Sequence, residues 1–180
     1  MTLMLRPATP ADIPAIAAIY RMEVLETVAS FELDPPPEEE MLARMQAITG
    51  QGYPYLVAIS DGAVAGYAYA SAFRPRRAYR FTVENSVYVS RAHRRMGVAR
   101  RLLEELIAVT TALGFRQMMA VISDIEGGSV ALHSALGFVE TGRHEAVGYK
   151  FGAWYPTVIM QRALGEGAAT PPAELRCGGA

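Results

Sequence analysis

The sequence predicts a mixed α/β domain, because strand-like and helix-like periodicities alternate along it and turn signals fold neighbouring strands into hairpins toward both ends. Interleaving of this kind argues for a mixed sheet rather than a purely parallel one. An apolar stretch over residues 3–5 reads as the first strand. Thr9-Pro10-Ala11-Asp12 then reads as a helix start, with Thr9 as cap, Pro10 at the first helical position and an acidic first turn. Ile13, Ile16, Ala17, Tyr20 and Val24 continue it at helical spacing. A second helix is expected over residues 38–48, after three consecutive prolines. Residues 55–59 and 64–72 are strand-like on either side of Ser60-Asp61-Gly62, a hairpin signal. An arginine-rich loop over 73–79 leads to a strand over 81–90. There Phe81, Val83, Val87 and Val89 share one face, and Thr82, Glu84, Ser86 and Tyr88 the other. Ala99, Leu102, Leu103, Leu106, Thr110 and Leu113 mark the stripe of a helix ending at Gly114. A strand over 118–122, a short helix over 129–136 and strands near Phe138 and over 157–160 complete a domain placed at residues 1–164. Residues 165–180, rich in Gly, Ala and Pro, are expected to form a disordered tail.

About half of the 180 residues are apolar, enough for one packed core. The formal net charge is −1, which gives no global attraction to nucleic acid or to an anionic membrane. Nearly all the cationic residues are arginine, Lys150 being the single lysine, so local arginine clusters carry the charge that matters. The lone cysteine, Cys177, has no partner for an internal disulfide and no neighbours for a metal site. No apolar run approaches a membrane span, and the first residues lack signal-peptide character. A cytoplasmic protein needing no metal is expected.

The chemistry concentrates in Arg94-Arg95-Met96-Gly97-Val98-Ala99, between a strand and a long helix. A small-residue turn at a helix N-terminus presents unpaired backbone N–H groups and the positive end of the helix dipole, a setting suited to a diphosphate. Arg94, Arg95, Arg100 and Arg101 add positive charge. The Gly-Lys-Ser/Thr ending of a P-loop is absent, and so is the three-glycine spacing of a dinucleotide fingerprint. Taken alone, the turn also fits a surface helix with a basic first turn.

The flanking sequence decides. Arg94-x-x-Gly97-x-Ala99 resembles the pyrophosphate loop of the GNAT acetyltransferase superfamily. Residues 82–89 (TVENSVYV), 129–133 (SVALH) with Leu136-Gly137-Phe138, and 148–154 (GYKFGAW) are similar to its phosphinothricin and methionine sulfoximine N-acetyltransferase branch. The similarity runs from about Leu5 to Arg162. It implies the GNAT fold, a mixed, mostly antiparallel sheet with a parallel splayed strand pair flanked by helices. It also implies acetyl-CoA as co-substrate, a homodimer, and acetylation of the amine of a small amino-acid-like compound such as phosphinothricin, methionine sulfoximine or methionine sulfone. A GNAT enzyme for another amine, a polyamine or a peptide N-terminus, is the rival, together with a silent acetyl-CoA-binding module. Arg74 and Arg76 argue against a cationic polyamine.

The resemblance also assigns roles. Glu84 is the general base that strips the ammonium group of its proton; without the family match it would read as an ion-paired strand residue. Val87, Tyr88 and Val89 would pair through their backbone with the pantetheine arm. The diphosphate would rest on residues 94–100: Arg94, Arg95, Met96, Gly97, Val98, Ala99 and Arg100. His133 stands four residues before Gly137, where GNAT enzymes often carry a tyrosine; acid, hydrogen-bond partner of the thioester and space-filler are all open to it. Arg74 and Arg76 would grip the acidic end of the substrate, with Phe31, Tyr79 and Thr82 lining its cavity. Tyr149 and Trp154 fit a pocket wall, a dimer contact or core packing. Glu126 stands where relatives usually carry an asparagine that bonds the cofactor arm, and an ionised glutamate cannot donate that bond.

Overall fold

The computed structural model describes residues 3–123 and 128–174. Its strands are β1 (Leu3–Pro7), β2 (Tyr55–Ser60), β3 (Ala63–Ala72), β4 (Thr82–Val89), β5 (Gln117–Ile122), β6 (Val139–Lys150) and β7 (Ala153–Ala163). They form one sheet in the order β1-β2-β3-β4-β5-β7-β6. The helices are α1 (Ile13–Glu26), α2 (Glu38–Gly50), α3 (Val98–Ala112) and α4 (Ser129–Ala135). Every strand pair is antiparallel except β4–β5, which is parallel.

Strand alternation divides the core into two. Leu56 and Ala58 of β2 join Leu102, Leu103 and Leu106 of α3 and Met118 of β5 on one side of the sheet. Tyr55 and Val57 point the other way, onto Ile16 and Val24 of α1 and Met41 and Met45 of α2. The β2–β3 connection has positive φ at both Asp61 and Gly62, the backbone of a type I′ hairpin, which the Asp-Gly pair suits.

The start of α1 is tied to β1 by charge. Pro10–Asp12 form a 3₁₀ turn ahead of the helix. Arg6 grips the buried Asp12 carboxylate with two bonds of 2.7 Å, and the Thr9 N–H donates to the same carboxylate at 2.7 Å. Together these hold the Asp12 carboxyl at about 2, below its ordinary 3.8. The contribution to stability is therefore complete above the unfolded value and disappears as pH falls from there toward 2. Asp12→Asn is expected to cost about 1–2 kcal/mol at neutral pH, allowing for solvent screening of Arg6. In urea unfolding, the gap between variant and wild type should close on acidification.

The last two strands are longer than the sequence predicts: β7 runs over Ala153–Ala163 where residues 157–160 are expected. The strand expected near Phe138 is β6, twelve residues long and mostly exposed. Its register with β7 shifts between Glu140 and Gly142 and again between His144 and Gly148, and Ala146 has a positive φ. An exposed edge strand with two irregularities has no sustained alternation to read. Past β7, Leu164 is buried, and residues 165–170 form turns and bends. Arg116 donates to Thr170 Oγ1 at 2.9 Å and to the Pro171 carbonyl at 3.1 Å.

Candidate active site

The site begins as a fork in the sheet. The parallel ladder between β4 and β5 comprises only Thr82–Gln117, Val83–Met118 and Glu84–Met119, while β4 stays paired with β3 as far as Val89. Beyond Glu84, then, the edge of β4 that faces β5 has lost its strand partner. Asn85 stands at the branch point, buried, and its Nδ2 donates to the Met119 carbonyl at 2.8 Å. A side-chain amide thus takes over where the backbone ladder ends, and the strands separate. The opening carries a cavity of about 980 Å³ that reaches residues on both faces of the sheet.

Glu84 lies on the face of β4 that also bears Tyr88, packed against Tyr20 of α1 at 5.2 Å between ring centres. Asn85 and His133 belong to the opposite face, yet both line the same cavity as Glu84. The Glu84 carboxyl is pushed up by burial, and the Arg74 charge opposes that shift. A carboxylate accepts a proton only above its pKa, so this burial would move an acid limb set by Glu84 to higher pH than an exposed carboxylate gives. Arg74→Gln removes the opposing charge and is expected to move that limb to still higher pH in a kcat/KM profile.

His133, on α4, is buried and held from both sides. Its Nδ1 lies 2.8 Å from the Ser129 carbonyl, and its Nε2 lies 3.1 Å from Asn85 Oδ1. Because Asn85 Nδ2 is committed to Met119, Oδ1 must face the ring as an acceptor. Two acceptors favour a proton on each ring nitrogen. Burial acts the other way and is the larger influence, lowering the ring's pKa against the Ser129 carbonyl.

At the far end of the cavity the chain turns into α3. Arg95 has φ +61° and Gly97, the N-cap of α3, has φ +81°. No Cβ at 97 would touch a neighbour, so the requirement for glycine comes from the left-handed backbone itself, which costs other residues about 1–2 kcal/mol. The turn leaves the first N–H groups of α3 open toward the cavity. Arg94 reaches back to an ion pair with Glu23 of α1, and Arg100 pairs with Glu104 at 2.8 Å. Arg95 has no ion-pair partner among the described residues, which leaves its charge for a ligand.

Comparison with known proteins decides what this arrangement belongs to. Residues 5–159 match the acetyltransferase (GNAT) domain. The chain belongs to the GNAT acetyltransferase family. A phosphinothricin N-acetyltransferase of Alcaligenes faecalis is 48% identical over 162 residues, spanning 89% of this chain and 82% of that protein. An L-methionine sulfoximine/L-methionine sulfone acetyltransferase of Salmonella typhimurium is 39% identical, spanning 93% and 98%. The crystal structure of a GNAT superfamily phosphinothricin acetyltransferase from Sinorhizobium meliloti, in complex with acetyl-CoA, superposes with a TM-score of 0.94 at 55% identity, covering 97% of this chain and 95% of that one. The mixed sheet with one parallel, splayed strand pair is the GNAT fold that the sequence led one to expect.

Of the residues singled out from sequence, this GNAT domain brings Phe31, Glu84, Val87, Tyr88, Val89, Arg94, Arg95, Gly97, Val98, Ala99, Arg100 and His133 together around the cavity. Met96 points to solvent at the rim. Arg74, Arg76, Tyr79 and Thr82 lie outside the lining. Arg74 sits over the Phe73 ring at 4.9 Å, and the Tyr79 ring meets Phe73 edge-on at 5.8 Å. Glu126 lies outside the described residues. Tyr149 and Trp154 are exposed and pack on one another at 5.2 Å, so neither belongs to the core. Sequence reasoning passed over Asn85, Glu23 and Ser30. Their signal is positional: Asn85 is a polar residue on the apolar face of β4, and Glu23 a carboxylate within the apolar run of α1.

Proposed function

We propose that this chain transfers the acetyl group of acetyl-CoA to the amine of a small amino acid of the phosphinothricin, methionine sulfoximine or methionine sulfone type. The observation that carries the proposal is the fork itself, with a half-buried carboxylate, Glu84, at its apex and a basic, left-handed turn leading into a helix at the other end of one continuous cavity. The names borne by the Alcaligenes and Salmonella relatives support the substrate class.

The residues fit the co-substrate. The backbone of residues 87–89, unpartnered toward β5, offers hydrogen bonds to an extended amide-bearing arm. The turn at residues 94–100 suits a diphosphate through its N–H groups and Arg95. Bound acetyl-CoA supplies the acetyl thioester that the amine attacks. Glu84 accepts the proton of the substrate ammonium, freeing the nitrogen lone pair. The departing thiolate takes up the second proton that the attacking nitrogen releases, while His133, both ring nitrogens held by Asn85 and the Ser129 carbonyl, shapes the cavity wall. Transfer is direct, with no acetylated side chain on the path. Arg74 and Arg76 attract the acidic end of the substrate toward the mouth.

The β6–β7 hairpin exposes Val147, Tyr149, Phe151 and Trp154, an apolar cluster suited to a second copy, and we read the enzyme as a homodimer. A single-chain mass in sedimentation velocity would exclude that reading.

Free-thiol release from acetyl-CoA tests the substrate class. The amines to compare are phosphinothricin, methionine sulfoximine, methionine sulfone, spermidine and a short peptide. Turnover confined to the three amino acids is expected. Turnover on spermidine or peptide alone would overturn the substrate class while keeping the chemistry, and acetyl-CoA binding without turnover on any amine would indicate a silent binding module.

A further inference from the structure

The loop between α1 and α2 carries Phe31 into the cavity wall, and the residue on either side of Phe31 is held in place. The Lys150 Nζ donates to the Ser30 carbonyl at 2.6 Å, and the Tyr20 hydroxyl lies 2.9 Å from both Ser30 Oγ and Glu32 Oε1. Arg44 grips Glu32 at 2.6 Å. Lys150 is buried, so its ammonium serves this loop and not solvent. Two residues earlier on the same strand, Gly148 is buried directly behind the Phe31 ring. A Cβ at 148 would stand 2.6 Å from Phe31 Cδ2 and closer still to Cε2 and Cζ, inside any tolerable contact. Gly148 has no positive φ, so an alanine there meets no backbone strain. The glycine is needed for the space it leaves, and the occupant of that space is one aromatic ring.

We propose that Gly148 is a specificity-determining residue: by leaving a seat for Phe31 it sets how much room the cavity gives the side chain of the amine substrate. The proposal rests on reading the cavity beside Phe31 as the amine site. Gly148 itself does not line the cavity, whereas Phe31 does, so the ring stands between them. With Ser30 and Glu32 fixed, the part free to yield to a methyl at 148 is the ring. Pushed from the β6 side, it moves toward the cavity and narrows it. The register shift between His144 and Gly148 puts this residue opposite Tyr155 and behind the ring, which gives that irregularity a purpose.

The test is a double-mutant cycle of Gly148→Ala and Phe31→Ala, read as kcat/KM for the largest and the smallest amino acid that the wild type acetylates. Gly148→Ala is expected to lower the large-to-small ratio about tenfold, the scale of a one-methylene mismatch in a pocket. KM for acetyl-CoA should stay within about twofold, and within the Phe31→Ala background the Gly148 substitution should change the ratio by less than about twofold. A ratio unmoved by Gly148→Ala, or an effect that persists without the ring, would overturn the proposal. So would an equal loss on every substrate and on acetyl-CoA, the mark of a folding defect. A crystal structure of Gly148→Ala reads the seat independently of turnover: the ring displaced toward the cavity supports the proposal, and an unmoved ring overturns it. Should no amine be acetylated by the wild type, the functional reading fails, and the ring position still decides this one.

Discussion

Glu84→Gln is expected to lower kcat roughly a hundred- to a thousandfold, while KM for acetyl-CoA stays close to wild type. The substitution keeps the shape of the side chain, removes its charge and its ability to take a proton, and turns one acceptor oxygen into a donor. Glu84 is at the last rung of the β4–β5 ladder, half-buried, with Arg74 as the charge that opposes its raised pKa. An ammonium substrate at neutral pH is almost wholly protonated, so a site without a base waits for the rare neutral amine. The residual activity of Glu84→Gln should therefore lose the Glu84 acid limb and keep rising with pH as free amine accumulates. Steady-state kinetics between about pH 4 and 10, roughly from the ordinary carboxylate range to that of the amine, would show it. A small loss in kcat with the wild-type pH profile would remove Glu84 from the role.

Asn85→Ala should have the second largest effect, and a different signature. One buried amide serves two partners, the Met119 carbonyl at 2.8 Å and His133 Nε2 at 3.1 Å. Its removal leaves a buried carbonyl without a donor, worth about 1–3 kcal/mol, and frees the His133 ring. Thermal unfolding should shift down clearly. Because the amide also holds the branch point of the strands, KM for acetyl-CoA should rise and kcat should fall, each about tenfold or more. His133→Ala separates the two functions: it keeps the fork and should lower kcat with little change in KM for acetyl-CoA. If Asn85→Ala lowers stability but leaves both kinetic constants unchanged, the amide is a packing residue only.

Much of this was legible in the sequence because its causes are local. The Asp61-Gly62 turn, the Leu102-Leu103-Leu106 stripe and the alternation of β4 are each written within a few residues, and the structure places them as expected. Glu84 and the turn before α3 were found the same way, with the family resemblance fixing their meaning. What escaped depends on separations that no periodicity encodes. Arg94 is partnered by Glu23, 71 residues earlier, and Asn85 by His133, 48 residues later. Lys150 reaches Ser30 across 120 residues. The long β6 was hidden by its exposure and its two register shifts. The arginine loop shows the converse. Its composition suggested a substrate grip, and the fold brings Arg74 within electrostatic reach of Glu84 while leaving Arg74 and Arg76 outside the cavity lining.

Direct, Glu84-assisted transfer of acetyl to a small amino acid's amine at the fork can be followed in one reaction of wild-type enzyme, acetyl-CoA and phosphinothricin or methionine sulfoximine, read at once by thiol release, product mass and intact protein mass. One N-acetyl amino acid is expected for each thiol released, with a protein whose mass never changes. Thiol release without N-acetyl product, or an acetylated protein that passes its label to the amine, would contradict it.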